Sequence, residues 1–351
     1  MQFFKVPFKM RGPWILDGRR TKAMMTHTTT RQRVGVYGGE LLARYGFGDG
    51  HPFGPDRHNA FWDRLAASGL QARVRVLPPV RAQDEDVLRF HTDAYLEQVR
   101  RQSATGQGYL DYGDTPAVVG IYESALYVVG STLDAMARIL AGELTRAMVP
   151  IAGLHHARRD AAAGFCVFND CGIAIETLRR VHGIQRIAYV DMDAHHGDGV
   201  FYAFVEDPDL AIVDFHEDGH YLYPGTGHAD EIGTGPACGT KLNVPLPPFA
   251  EDGQFLRLWP KAERFLEDYS PEFILLQCGA DALAGDPITH LKLSTDVYRA
   301  VTASLCRIAD NLCEGRVLAV GGGGYDQDHT ARAWTEVVAT LVATIEQGAE
   351  S

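Results

Sequence analysis

A chain of 351 residues with 46% hydrophobic and 22% charged side chains has the balance of an ordinary globular protein and ample apolar surface for a core, which excludes disordered and fibrous classes. Its apolar runs stay far below the roughly 18 residues of a membrane helix, so no membrane span or membrane partner is expected. The first 33 residues carry eight Lys/Arg against one acid and the remainder 25 against 44; so acidic a body repels phosphate backbones, and no nucleic-acid partner is expected.

Residues 1–33 lack the apolar stretch of a secretory signal and any clear periodicity, and they read as a floppy, disordered basic extension or an over-long start, against the alternative of an ordered interface arm. Beyond them short β-rich runs alternate with amphipathic stretches. Runs at 34–37 and 74–77 flank a helical segment at 58–68, and helical segments at 92–102 and 117–142 precede the run at 147–149. A helix over 169–182 leads to the run at 186–191, and runs at 210–215 and 273–277 enclose a helix at 254–268. A helix at 294–313, the run at 316–320 and a helix at 329–347 complete the chain. Such alternation predicts an α/β fold, a mostly parallel sheet flanked by helices on both faces. With no linker or internal repeat to divide it, 34–351 reads as a single domain. Six cysteines with no short-spaced pair read as free thiols of a reducing, cytoplasmic compartment.

Ligands of open α/β sheets gather outside the carboxyl ends of the strands, so the residues following each run are where chemistry is expected. After 147–149 come His155 and His156; after 186–191 come Asp191, Asp193, His195 and Asp198. Asp281 follows the run at 273–277, and Gly321 to Gly324 followed by Tyr325 succeed the run at 316–320. Asp193 and His195 stand two apart, on one face, and can hold an ion together. Asp281 completes a three-ligand set with open positions, the form of a catalytic Zn²⁺ or similar divalent ion. Asp191 and Asp198 are then left to accept a hydrogen bond from each of His155 and His156, fixing tautomer and basicity for general acid/base work. The four glycines have no Lys-Ser/Thr after them and fit no nucleotide fingerprint; they read as flexible backbone presenting Tyr325, whose hydroxyl can stabilise an oxyanion.

These motifs stand among others: His51-Pro52-x-x-Pro55-x-Arg57, Phe90-His91-Thr92-x-x-Tyr95, Gly164-Phe165-Cys166-x-x-Asn169-Asp170, Pro224-Gly225-Thr226-Gly227 and Gly285-Asp286-Pro287. Their order from about 34 to 343 resembles the histone deacetylase superfamily with its arginase/deacetylase fold, on the side of bacterial acetoin-utilisation proteins and class I members. The resemblance implies that 34–351 is a deacetylase catalytic domain, with Asp193, His195 and Asp281 as zinc ligands and Fe²⁺ as an alternative ion in the cell. It implies His156 as principal general base and acid, His155 as its electrostatic neighbour and Tyr325 as carbonyl polariser. Phe165 and Tyr223 match the aromatic pair of a narrow acyl-lysine tunnel, with Gly164 beside them, and Asp114 matches a rim aspartate that grips a peptide backbone. Arg57 matches a residue of the acetate exit channel. A structural potassium ion is implied on main-chain oxygens of Asp191, Asp193 and His195, although Asp214 stands where a serine is common.

The expected reaction is removal of acetyl or larger acyl groups from lysine side chains of proteins or peptides. A binuclear ureohydrolase of the same fold would need carboxylates where Gly197 and Leu283 stand. A catalytically silent acyl-peptide reader would be expected to lack Tyr325, His156 or a ligand, and none is missing. The alternative substrate is an acetylpolyamine: Asp198 in place of the Asn of polyamine-type members, and Ile288 where polyamine-selective eukaryotic members carry a Glu, favour acyl-lysine. The oligomeric state is left open.

Overall fold

The structure is a computed structural model that describes residues 33–48 and 50–350. The reading of a floppy basic extension falls on 1–33 and so, but for Arg33, lies outside the described residues. Among the described residues eight strands alternate with ten α-helices. In chain order they are β1 (Val34–Tyr37), α1 (Glu40–Ala43), α2 (Asp56–Ala67), β2 (Arg75–Leu77), α3 (Asp84–Val87), α4 (Asp93–Thr105), α5 (Ile121–Leu140) and β3 (Arg146–Val149). There follow α6 (Asp170–Arg180), β4 (Ile187–Asp191), α7 (Asp198–Ala203), β5 (Leu210–Glu217), β6 (Lys241–Leu246), α8 (Asp252–Tyr269), β7 (Phe273–Gln277), α9 (Thr295–Leu312), β8 (Val317–Val320) and α10 (Gln327–Glu350).

The strands form one sheet in the order β2-β1-β3-β8-β7-β4-β5-β6, with every neighbouring pair parallel. Helices α5 and α6 pack together on one side of it, while α2, α8, α9 and α10 pack on one another on the other. Strands covered on both faces cannot alternate apolar with polar residues, which is why Phe273-Ile274-Leu275-Leu276 is continuous and fully buried. Each such side chain contributes roughly 1.5–3 kcal/mol on leaving water.

Strand β6 has no counterpart among the runs read from the sequence. It lies at the sheet edge beside β5 alone, tolerates Pro245 there, and begins with Lys241, whose buried Nζ donates to the Asp207 and Leu210 carbonyls. Helices α1, α3 and α7, of four, four and six residues, are too short for a periodic signal. The six cysteines are free thiols, and no helix of the described residues is long and apolar enough to cross a membrane.

Candidate active site

The four strand ends singled out in the sequence belong to β3, β8, β7 and β4, which lie side by side at the centre of the sheet. The segments leaving them converge. His195 Nδ1 lies 3.0 Å from Asp193 Oδ1 and 3.1 Å from Asp281 Oδ2, and all three residues are buried. Backbone N–H groups fix the carboxylates: Gly323 donates to Asp193 Oδ2 (2.8 Å) and Ala194 to Asp281 Oδ1 (2.8 Å). Gln277 Nε2 donates to Asp193 Oδ2 as well, at 2.9 Å. Gly323 must be glycine here, because a Cβ would lie 2.2 Å from Asp281 Oδ2 and 2.9 Å from Asp193 Oδ2.

This donor set fits a divalent cation. Two buried carboxylates facing one imidazole nitrogen demand a positive charge between them. Burial works against charging His195, yet hydrogen bonds to Asp193 and Asp281 hold its pKa up at about 10, while burial and the Asp193 charge push Asp281 up to about 7. A metal ion could supply that positive charge in place of a proton, and ligand atoms of the three side chains lie within 4.8 Å of one another.

Beside this group stand two His–Asp pairs. His155 Nδ1 is 2.8 Å from Asp191 Oδ2, and His156 Nδ1 is 2.7 Å from Asp198 Oδ1. The imidazole centroids are 4.1 Å apart, so the two rings feel each other's charge. Burial opposes charging of His155, but Asp191 and Asp193 outweigh it and raise its pKa to about 10; burial and the neighbouring His155 charge lower His156 to about 4. His156 is therefore the neutral member, with its Nδ1–H on the carboxylate and Nε2 left over.

The backbone carrying this pair is tied down by α6. Asp170 at its start accepts the N–H groups of Gly153 and Leu154, and Asn169 Nδ2 donates to the His155 and Ala157 carbonyls. The His156 ring packs on Gly164 in the left-handed conformation, φ 51°, where a Cβ would come 2.4 Å from His156 Cδ2. Tyr325, with a phenol held well above its usual pKa by burial, has its ring 6.5 Å from that of His195. Its backbone N–H is fixed by Asp286 Oδ2 at 2.9 Å.

Two aromatic side chains border the site from different sides. The Tyr223 ring is 5.1 Å from His156 and 6.3 Å from His195, and the Phe165 ring is 6.0 Å from Tyr325. Beyond them a groove of about 350 Å³ is lined by Asp111, Asp114, Arg158 and Tyr223. Partial burial raises Asp111, but hydrogen bonds from the Asp114 carboxyl, Thr115 and loop N–H groups reverse this and bring it to about 2. Desolvation and the Asp111 carboxylate push Asp114 up to about 6, so of the two it is Asp114 that first takes up a proton as pH falls. Ile288 does not join the rest: it is half-buried on the turn after Asp286 and lines neither this groove nor the inner cavity.

The inner cavity is narrow, about 10 Å³, and runs between Phe53, Gly153, His155, His156, Gly164, Asp193, Gly322, Gly323 and Tyr325. Arg57 is buried nearby, its guanidinium 4.0 Å over the Phe53 ring and one nitrogen donating to the Gly322 carbonyl; Nε and Nη1 have no partner among the described residues.

The fully parallel sheet thus carries, at its central strand ends, a buried Asp-His-Asp group that could hold a cation and two carboxylate-backed histidines. The chain belongs to the histone deacetylase domain family, whose profile matches residues 51–341. It is 36% identical to the acetoin utilization protein AcuC of Bacillus subtilis (strain 168) over 302 residues, covering 84% of this chain and 78% of that protein. Histone deacetylase 8 of Xenopus tropicalis is 34% identical over 296 residues, 82% and 78% of the two chains. Histone deacetylase clr6 of Schizosaccharomyces pombe is 32% identical over 314 residues, 87% and 76%.

Sequence reasoning gave no role to Gln277, Asp170 or Asp286, although each orients a site residue. A polar residue ending the apolar run of β7 was the available signal for Gln277; Asp170 and Asp286 stood inside quoted motifs with nothing local to show what they hold.

Proposed function

We propose that the protein is a zinc-dependent amidohydrolase that removes acetyl groups, or larger acyl groups, from lysine side chains of proteins or peptides. The observation that carries this reading is the Asp198-backed His156 set beside the buried Asp193/His195/Asp281 group, with the ring of Tyr325 bordering the same site.

Asp193, His195 and Asp281 would hold Zn²⁺, or Fe²⁺ in the cell, which supplies Lewis acidity toward water and the amide carbonyl. His156 accepts a proton from the attacking water through Nε2, while Asp198 on Nδ1 stabilises the imidazolium so formed. The same group then returns the proton to the leaving lysine amine. His155, held on Asp191, sets the field in which His156 starts neutral. Tyr325, protonated, donates a hydrogen bond to the carbonyl oxygen as negative charge develops on it. The products are an amine and a carboxylic acid, and the unpartnered donors of buried Arg57 suit a departing carboxylate. Phe165 and Tyr223, with Gly164, would flank the lysine methylenes, and Asp114 would accept peptide N–H groups at the rim.

A structural potassium ion on main-chain oxygens of Asp191, Asp193 and His195 belongs to the same reading. Burial pushes Asp191 up to about 6, with His155 opposing and Asp214 aiding the shift. Asp214 itself is engaged by His216 Nδ1 (2.7 Å) and the Gly197 N–H (2.9 Å).

The reading is tested by Tyr325→Phe assayed on an acetyl-lysine peptide. Loss of an oxyanion donor lowers turnover on the order of a hundredfold or more. Metal content should be unchanged, and near-normal turnover would remove Tyr325 from the mechanism.

A further inference from the structure

A second set of metal-ligand side chains stands on the loop that follows β5, apart from the buried centre. Asp218, His220 and His228 each bring a ligand atom within 4.8 Å of the others. The Asp218 carboxylate is 2.6 Å from His220 Nδ1, and the His220 and His228 rings lie 5.0 Å apart. None of the three has a part in the reaction proposed above.

Their meeting is built into the backbone. The Asp218 N–H is anchored on the Leu246 carbonyl at the end of β6 (2.8 Å), and Tyr221 and Leu222 return their N–H groups to the Asp218 carbonyl at 2.9 and 3.3 Å. On the other arm Glu231 accepts the N–H groups of Gly227 and His228 at 2.9 and 2.8 Å. The two arms touch at Gly219, where a Cβ would lie 2.7 Å from the backbone N and O of Thr226. Any larger residue at 219 would part them. The loop therefore presents its donors already gathered, and the entropy of collecting them on binding is correspondingly small.

Two imidazoles and one carboxylate make an N₂O set, which suits Zn²⁺, Ni²⁺ or Cu²⁺ and not the all-oxygen shells of Mg²⁺ or Ca²⁺. The His220 side chain is 69% exposed, so an ion reaches it directly from solvent. We propose that Asp218, His220 and His228 form a second, solvent-facing site for a divalent cation of the zinc class. Between its two arms the chain carries Tyr223, whose ring borders His156. Occupancy would thus tie together the two ends of the loop that places one wall of the reaction site. The proposal does not depend on the reaction assigned to the buried centre.

The test uses the full chain, loaded with one equivalent of Zn²⁺, freed from excess and then titrated with further Zn²⁺ by calorimetry. One further, weaker equivalent is expected. His220→Ala and His228→Ala should each weaken it by more than the roughly 10–100-fold that loss of a partner behind a ligand costs, while the first equivalent stays. Asp281→Ala should do the reverse, losing the first ion and keeping the second. Hydrogen exchange should slow across 218–228 when the second equivalent binds. His220 is exposed, so its replacement leaves a folded protein even where His228→Ala does not. Absence of a further equivalent at tens of micromolar zinc, or its persistence at full strength in the His220 variant, would overturn the assignment.

Discussion

Gly164→Ala isolates the placement of His156 from its chemistry. The added methyl would lie 2.4 Å from Cδ2 and 2.8 Å from Cγ of the imidazole. Carbon atoms rest at about 3.5–4.0 Å, so the ring must retreat by about 1 Å. That movement strains the 2.7 Å bond to Asp198 and carries Nε2 off its line. A misplacement of about 1 Å lowers rate by roughly a hundredfold. Holding alanine at φ 51° costs a further 1–2 kcal/mol or so of stability, without itself touching the reaction. The control separates the two effects: Gly69→Ala meets the same backbone strain, at φ 75°, with nothing within 4 Å of the new methyl. Turnover on an acetyl-lysine peptide, metal content and thermal midpoint are measured for both. The expected outcome is two variants of similarly lowered midpoint and intact metal content, of which only Gly164→Ala loses turnover by about two orders of magnitude. If Gly164→Ala turns over like Gly69→Ala, the ring contact does not position His156.

On the proposed reading, Asp114 should make peptide binding pH-dependent. Its carboxyl, raised to about 6, gains a proton as pH falls through that value and can no longer accept two peptide N–H groups. The ratio of KM for an acetyl-lysine peptide to KM for a small acetamide should therefore rise below pH 6 in the parent and stay flat in Asp114→Ala; parallel profiles in the two proteins would exclude this role. Far from the site, Arg146 is buried in β3 and its guanidinium is paired with both oxygens of Asp310 at 2.6 and 2.8 Å. Asp310→Ala strands that charge with only the Leu341 carbonyl and the Thr344 hydroxyl, and should cost about 2 kcal/mol in chemical denaturation, less than a fully buried pair because Asp310 is half exposed. A loss below about 0.5 kcal/mol would show that water reaches the guanidinium.

The central strands were legible because helices cover both faces and leave their sequences uniformly apolar, and the strand-end rule then located Asp193, His195, Asp281, His155, His156 and Tyr325 without any knowledge of strand order. That order adds what a linear reading cannot contain: β3, β8, β7 and β4 are neighbours, although 168 residues separate the end of β3 from the start of β8 in sequence number. Edge strand β6 escaped because Lys241 and Pro245 break the β signal. Gln277 and Asp286 escaped because their partners, Asp193 and the Tyr325 N–H, lie 84 and 39 positions away. Ile288, the position at which polyamine-selective members carry a Glu, lines neither the groove nor the inner cavity.

The most direct measurement is a comparison of kcat/KM for an acetyl-lysine peptide with that for acetylputrescine and acetylspermidine on the full chain, stripped with a chelator and reconstituted with a single equivalent of Zn²⁺. The Phe165 and Tyr223 walls hold no carboxylate to partner the second charge of a polyamine, and an unpaired charge in an apolar channel is costly. The account predicts that one equivalent restores activity and that the lysine peptide is the better substrate. Polyamines preferred by an order of magnitude, or activity that appears only with a second equivalent, would contradict it.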